Sequence, residues 1–238
     1  MILTTQCTQS YYLRAQPLFD SVKKYWPYEF KVGTIGFGDG DYRMDIADVK
    51  TYRHNYPKNR SMFVCPQGGE FIDFLDVPDD EIVINIDADC IMQRAFTQAE
   101  LSMITPKDNE IIVTYPCWPP QTLKQVSKNL KFKHTDKFPD LFNIEFCGAF
   151  LVARASTFRK LRDLVVAKFD DLVEVNDHHA GIQFLISYLS YKHLHVKYVP
   201  NTFQCGSWYL HDYNFSRIGG RLAIDGEVVI FNHTKFHK

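Results

Sequence analysis

Asp87 and Asp89, in the stretch EIVINIDADCIMQ (Glu81 to Gln93), are two carboxylates one residue apart at the end of an apolar run. Like charges that close repel, and their burial costs free energy unless a positive centre lies between them. In an extended strand residues i and i+2 face the same side, so both carboxylates can reach one hard cation such as Mg²⁺ or Mn²⁺. A solvated turn after a strand explains an isolated Asp-x-Asp triplet equally well, so the triplet alone does not decide. A second element stands in EVVIFNHTKFHK (227–238), an apolar strand that runs into His233. His233 is the candidate third ligand, with Lys235 and Lys238 placed to meet phosphate. A metal with lysines beside it is what a diphosphate leaving group requires, because its developing negative charge must be neutralised.

These residues need a scaffold, and the apolar pattern predicts an alternation of strands and helices. Ile2 to Thr5 reads as a short strand. Leu13, Leu18, Phe19, Val22 and Trp26 recur at helical spacing, which predicts one helix over Tyr11 to Tyr25, ended by Pro27. FKVGTIGF, bounded by the turn GDGD, predicts a second strand. A helix fits Gly69 to Leu75, and IVINI is a third strand, continuously apolar as a strand covered on both faces must be. IIVTYP and GAFLVA predict the fourth and fifth strands. Helices then fit Ser156 to Phe169 and His178 to Tyr191, the second carrying Ile182, Leu185, Ile186 and Leu189, before the strands HVKYV and EVVIFN. The expected fold class is α/β: a single Rossmann-like domain with a central mixed, mostly parallel sheet flanked by helices. Ligands of such sheets gather at the carboxyl ends of the strands, which is where Asp87 and Asp89 fall.

Composition bounds the partners. A length of 238 residues suits one domain, and 45% hydrophobic with 23% charged residues is ordinary for a globular chain. A net charge of −1 gives no global electrostatic case for nucleic acid or an anionic membrane. The six cysteines are scattered without a CxxC pair, as reduced thiols of a cytosolic protein would be. The start MILTTQCTQS lacks the basic and apolar regions of a signal peptide, and no apolar run approaches the ~20 residues of a membrane span. The expectation is a cytoplasmic protein with no transmembrane segment. Aromatics, with 13 Tyr and 19 Phe, serve a large core and can also stack flat ligands.

Three segments in order, TTQCTQSYYLRAQPLFDSVKK, VINIDADCIM and IFNHTKFHK, resemble a metal-dependent glycosyltransferase of the GT-A fold, closest to the glycogenin-like group. The likeness runs along nearly the whole chain, and its strongest part is the Asp-x-Asp segment. It implies one glycosyltransferase domain over 1–238, with a nucleotide-binding half (1–115) and a half for acceptor and donor sugar (116–238). It implies a nucleotide diphosphate sugar as donor, UDP-sugar favoured, and Mn²⁺ or Mg²⁺ as cofactor. Thr4, Thr5 and Gln6 would touch base and ribose, and Tyr11 or Tyr12 would stack on the base. Asp87 would contact metal and ribose, Asp89 metal and diphosphate, and His233 the metal. NIEFCGAFLVARASTF is similar to the donor-sugar strand of such enzymes, with Gly148 letting the sugar approach the backbone and Glu145 beside it. Asp177, in VNDHHAGIQFL, falls where they keep an acidic residue at a helix start. It would take the acceptor's proton or fix donor and acceptor hydroxyls, assisted by His178 or His179, although a helix N-cap explains it too. Asp177 and Glu145 are therefore the catalytic candidates.

The chain departs from that group in two places. No Lys or Arg stands between Ser61 and Met92, and no glycine stands between His233 and Lys238. The sugar and the anomeric outcome stay open, an inverting enzyme with Asp177 as base included. For the acceptor, Lys124, Lys128, Lys131, Lys133 and Lys137 between Gln121 and Phe138 read either as a solvated helix face or as a surface for an anionic ligand. Phe132 and Phe138 among them could stack bases, which would suit a nucleic-acid acceptor such as a modified DNA base. Trp208, in CGSWYLHDYNF, is the candidate platform for a glycan or lipid-linked sugar. Three other classes compete. A nucleotidyltransferase making nucleotide sugars would open with a glycine-rich phosphate loop, and TTQCTQSYY has no glycine. An aspartyl-phosphate phosphatase would carry its acidic pair near the first strand. A non-catalytic sugar-nucleotide binding module would keep the fold and lose the chemistry.

Overall fold

The computed structural model describes residues 1–8, 12–35, 49–54, 70–116, 120–130, 138–168, 178–206 and 214–234. The first strand, β1 (Ile2–Thr8), pairs in parallel with β2 (Glu29–Ile35) on one side and β4 (Ile82–Ile86) on the other. Beyond β2 lies β3 (Val49–His54), also parallel. Beyond β4 the direction reverses: β7 (Phe150–Arg154) is antiparallel both to β4 and to β6 (Glu110–Thr114). β8 (His195–Val199) closes the sheet in parallel with β6. The order is β3-β2-β1-β4-β7-β6-β8, a seven-stranded mixed sheet that is mostly parallel, as the sequence predicts. The IVINI strand is thus the fourth, not the third. β3 escapes a reading by hydrophobicity because its VKTYRH is half basic, as an edge strand can be.

Helix α1 (Gln16–Tyr25) starts later than spacing alone predicts. Pro17 has no N–H to give and belongs in a first turn, where that donor is not needed. Leu18, Phe19 and Val22 are buried, while Leu13 sits exposed in the preceding turn. Trp26 is extended, as a residue before proline prefers, and its amide caps the helix on the Val22 carbonyl. The segment over residues 70–74 is a single 3-10 turn rather than an α-helix. Two short helices, α2 (Gln98–Met103) and α3 (Leu123–Asn129), each begin with a capping box, Thr97 with Glu100 and Thr122 with Gln125. α4 (Ala155–Lys168) and α5 (His178–His193) lie within one or two residues of their expected spans. Apolar cores cover both faces of the sheet, one built with α4 and α5 and one with α1.

EVVIFN is not one strand. Its first part forms β12 (Glu227–Val228), paired with β11 (Arg221–Ile224) and through it with β10 (Phe215–Ile218). Its end forms β13 (Phe231–His233), which lies between β5 (Cys90–Met92) and β9 (Gln204–Gly206). Asp225 and Gly226 turn β11 into β12 with φ of 51° and 85°, two left-handed residues of the kind that tight hairpin turns require. Gln93, buried, clasps these pieces. Its side-chain amide donates to the Leu222 and Val229 carbonyls at 3.2 and 3.0 Å, and its oxygen accepts the Leu222 amide at 2.8 Å.

Candidate functional site

The backbone leaves β4 at Ile86 and turns at once, with the Cys90 amide donating to the Asp87 carbonyl at 3.1 Å. Asp87 and Asp89 therefore converge through a turn, and not through the same-side alternation of a continuing strand. The Asp87 amide donates to the Ala149 carbonyl at 3.2 Å, which ties this turn to the start of β7. β5 follows, and its antiparallel partner β13 sets His233 opposite Cys90. His233 Nε2 lies 2.9 Å from Asp89 Oδ1 and 3.7 Å from Asp87 Oδ2. The neighbouring Thr234 locks the arrangement, its amide and hydroxyl donating to the Asp89 carbonyl at 2.8 and 2.9 Å.

One ligand atom from each of Asp87, Asp89 and His233 lies within 4.8 Å of the others. Donors on opposite sides of a hard divalent cation stand about 4 Å apart, so this set fits a single ion. Two carboxylates with one imidazole suit Mn²⁺ or Mg²⁺ better than a soft metal.

On β1, Thr4 and Thr5 are fully buried and their hydroxyls have no hydrogen-bond partner. Gln6 is partly exposed and donates to Asn85 Oδ1 at 3.0 Å, one strand over and two residues before Asp87. Of the three β1 candidates, Gln6 alone reaches the surface. Tyr12 is buried against Phe19, with ring centroids 5.4 Å apart, so it offers no open face for a base. The Cys7 thiol is pushed up far beyond its ordinary range, by burial first and by the Asp89 charge second.

Glu145 lies at the same edge of the sheet, just before β7. It is only 6% exposed, and one carboxylate oxygen has no hydrogen-bond partner. Burial pushes its carboxyl up to about 7, and a hydrogen bond with Gln183 on α5 pulls part of the way back. Gln183 Oε1 also accepts the Gly148 amide at 3.4 Å. Glu145, Gln183 and Gly148 thus form one polar cluster, one residue along the chain from the carbonyl that anchors Asp87. A buried carboxyl shifted toward neutrality at the carboxyl edge of a sheet is a candidate functional group. Gln183 and Thr234 were not anticipated from sequence, although Gln183 stands alone as an amide within the apolar run GIQFLI.

Tyr11, Asp177, Trp208, Lys131, Lys133, Lys235 and Lys238 lie outside the described residues, as do the side chains of His178 and His179. Lys124 and Lys128 are exposed on α3, and Phe138 is buried between Phe184 and Tyr188 rather than open to a base.

No family profile and no curated protein sequence matches the chain. Solved structures do. The galactosyltransferase LgtC, in complex with donor and acceptor sugar analogues, matches over 99% of this chain and 87% of its own, with a TM-score of 0.62 and 12% identity. An active-site glutamine-to-glutamate variant of LgtC matches over 100% and 88%, again with a TM-score of 0.62 and 12% identity. The chain has the GT-A fold. At that identity the likeness establishes architecture, while the chemistry rests on the residues themselves. Among the described residues no helix is long and apolar enough to cross a membrane.

Proposed function

We propose that this protein is a glycosyltransferase that moves a sugar from a nucleotide diphosphate sugar, UDP-sugar favoured, to an acceptor hydroxyl with the help of Mn²⁺ or Mg²⁺. The observation that carries the reading is the convergence of Asp87, Asp89 and His233, from two distant segments, at the carboxyl edge of a GT-A sheet. The glycogenin-like resemblance of the Asp-x-Asp and terminal segments supports the same donor class.

In this reading Asp87, Asp89 and His233 hold the ion, whose charge offsets that of the diphosphate as it leaves. Gln6, held by Asn85, contacts the nucleoside together with Tyr11 and Asp87, Thr4 and Thr5 being buried, and Lys235 and Lys238 meet the phosphates. Gly148 leaves room for the donor sugar. Glu145, with its oxygen lacking a partner, accepts a hydrogen bond from a sugar hydroxyl or takes the acceptor's proton. A carboxyl titrating near 7 is well matched to proton transfer at neutral pH. Asp177 is the second candidate base or donor-sugar contact, and Trp208, Lys131 and Lys133 are candidate acceptor contacts.

Thermal-shift measurement with nucleoside diphosphates, with and without Mn²⁺, tests the reading. A diphosphate at 100 times its dissociation constant adds about 2.7 kcal/mol of stability, and the expected gain appears only with metal. No gain from any nucleoside diphosphate under either condition overturns it.

A further inference from the structure

At the far side of the sheet β6 and β8 end together, with Thr114 paired to Val199. Tyr115 follows β6, and Tyr198 is the last residue but one of β8. Their rings stack with centroids 4.2 Å apart and planes at 17°. The stack is braced from α5: the Tyr198 hydroxyl meets that of Tyr191, which donates to the Ile144 carbonyl at 2.8 Å. Ile144 immediately precedes Glu145, so the brace runs into the segment that carries the buried carboxyl. Tyr115 nevertheless remains 51% exposed. Beside it opens a cavity of about 450 Å³, lined also by Asn201, Thr202 and, at the β11–β12 turn, Asp225.

A held, half-exposed aromatic face suits a ligand with an apolar face, and the amide, hydroxyl and carboxylate around it suit a rim of hydroxyls. A sugar ring has both. No lysine or arginine is among the described residues of the wall, and Asp225 opposes a phosphate or carboxylate ligand. β4, β6 and β8 run in one direction, so this cavity opens at the sheet edge that carries Asp87. Three strand spacings separate β4 from β8 in the sheet order, about 14 Å at the usual inter-strand distance. That places the cavity on the side of the acidic turn away from β1.

We propose that the cavity at the ends of β6 and β8 is a binding subsite for an uncharged glycan, in which Tyr115 is the stacking platform and Asp225 accepts hydroxyl hydrogen bonds. It would hold a sugar unit of the acceptor remote from the point of transfer. The acceptor role rests on the glycosyl-transfer reading above, and the glycan site itself does not.

Saturation-transfer NMR on the full chain tests it, using cellobiose, maltose, lactose and chitobiose, with a single-stranded oligonucleotide as the anionic rival. At least one disaccharide is expected to bind. Tyr115→Ala is expected to weaken it about tenfold, the scale of a lost aromatic contact. Asp225→Asn keeps the left-handed turn, which Asn tolerates, and is expected to weaken binding several-fold. Both variants should keep the wild-type response to UDP with Mn²⁺, which shows that they are folded. If no disaccharide binds, or Tyr115→Ala binds it as the wild type does, while that response is intact, the subsite is overturned. Oligonucleotide binding that is lost in Tyr115→Ala overturns it as well. Disaccharide binding that depends on Tyr115, in a protein that ignores every nucleoside diphosphate, upholds the subsite and removes the transfer reading instead.

Discussion

The acidic turn and the Glu145 cluster place carboxyl groups at one edge of one sheet, joined through Gly148 and Ala149, yet their surroundings differ. Asp89 is partly exposed with the His233 imidazole 2.9 Å away, and Asp87 shares the same partner at 3.7 Å. Glu145 is buried beside the neutral amide of Gln183, and its carboxyl is raised to about 7. Two carboxylates beside an imidazole are a set of donors that can share one ion, whereas a carboxyl taken out of water beside an amide tends to hold its proton. In the proposed reading the same functional group grips a cation at one point and exchanges a proton at another. The neighbours decide which.

The largest effect should come from Asp89→Asn. It removes a ligand directly and should lower metal-dependent turnover by more than about 100-fold, beyond the usual cost of losing an outer partner. The metal-dependent thermal shift should vanish while the circular dichroism spectrum stays native. Full turnover in this variant would remove the distinction between the two carboxyl environments. Glu145→Gln should break the other half of the comparison. Turnover should fall about 100-fold and lose its dependence on a group near pH 7, while stabilisation by diphosphate and Mn²⁺ is kept.

Glu145 also makes a stability prediction with a definite sign. Its folded-state value, about 7, lies above its ordinary 4.5, so the native state holds the proton more tightly than the unfolded one. The stability it contributes is present below about pH 4.5 and is lost as pH rises through 7, a difference on the order of 3 kcal/mol. Urea denaturation of metal-free protein from pH 5 to 8 should show that decline in the wild type and a flatter profile in Glu145→Gln.

Gln93→Ala tests how the acidic turn is assembled. It leaves the Leu222 amide and two carbonyls of the clasp without their partner, at a cost of about 2–3 kcal/mol. Because the clasp stands next to β5, Mn²⁺ affinity should fall with stability, and unchanged affinity would show that strand pairing and the Thr234 hydrogen bonds hold β13 without the clasp. Gly148→Ala should be the mildest. A Cβ there would meet Gln183 Oε1 at 3.5 Å, an ordinary contact, so stability should stay within about 0.5 kcal/mol. A raised KM for the donor in a fully stable variant would mark a close approach of the sugar to this backbone.

Much of the fold was legible because its signals are local. The apolar run IVINI, the helical pattern of α4 and α5 and the mostly parallel alternation all follow from residues within a few positions of one another. Pro17 at the start of α1 and the two capping boxes at Thr97 and Thr122 are local signals of the same kind. The split of EVVIFN into two strands was not local, since its halves pair with Arg221–Ile224 on one side and Cys90–Met92 on the other. Gln183 carried only the faint signal of one amide in an apolar helix, because its role depends on a carboxyl on another element.

From its sequence alone, this protein has two aspartates at the end of a buried strand, a histidine at the end of a late one, and enough α/β alternation to place the first pair at a sheet's carboxyl edge. Tertiary structure alone set His233 opposite Cys90, bent Asp87 and Asp89 into a turn, and buried Glu145 against Gln183. The physical reason is range. Periodicity and capping act between neighbours in the chain, whereas a ligand set and a shifted proton equilibrium arise from groups that only folding brings within a few ångströms.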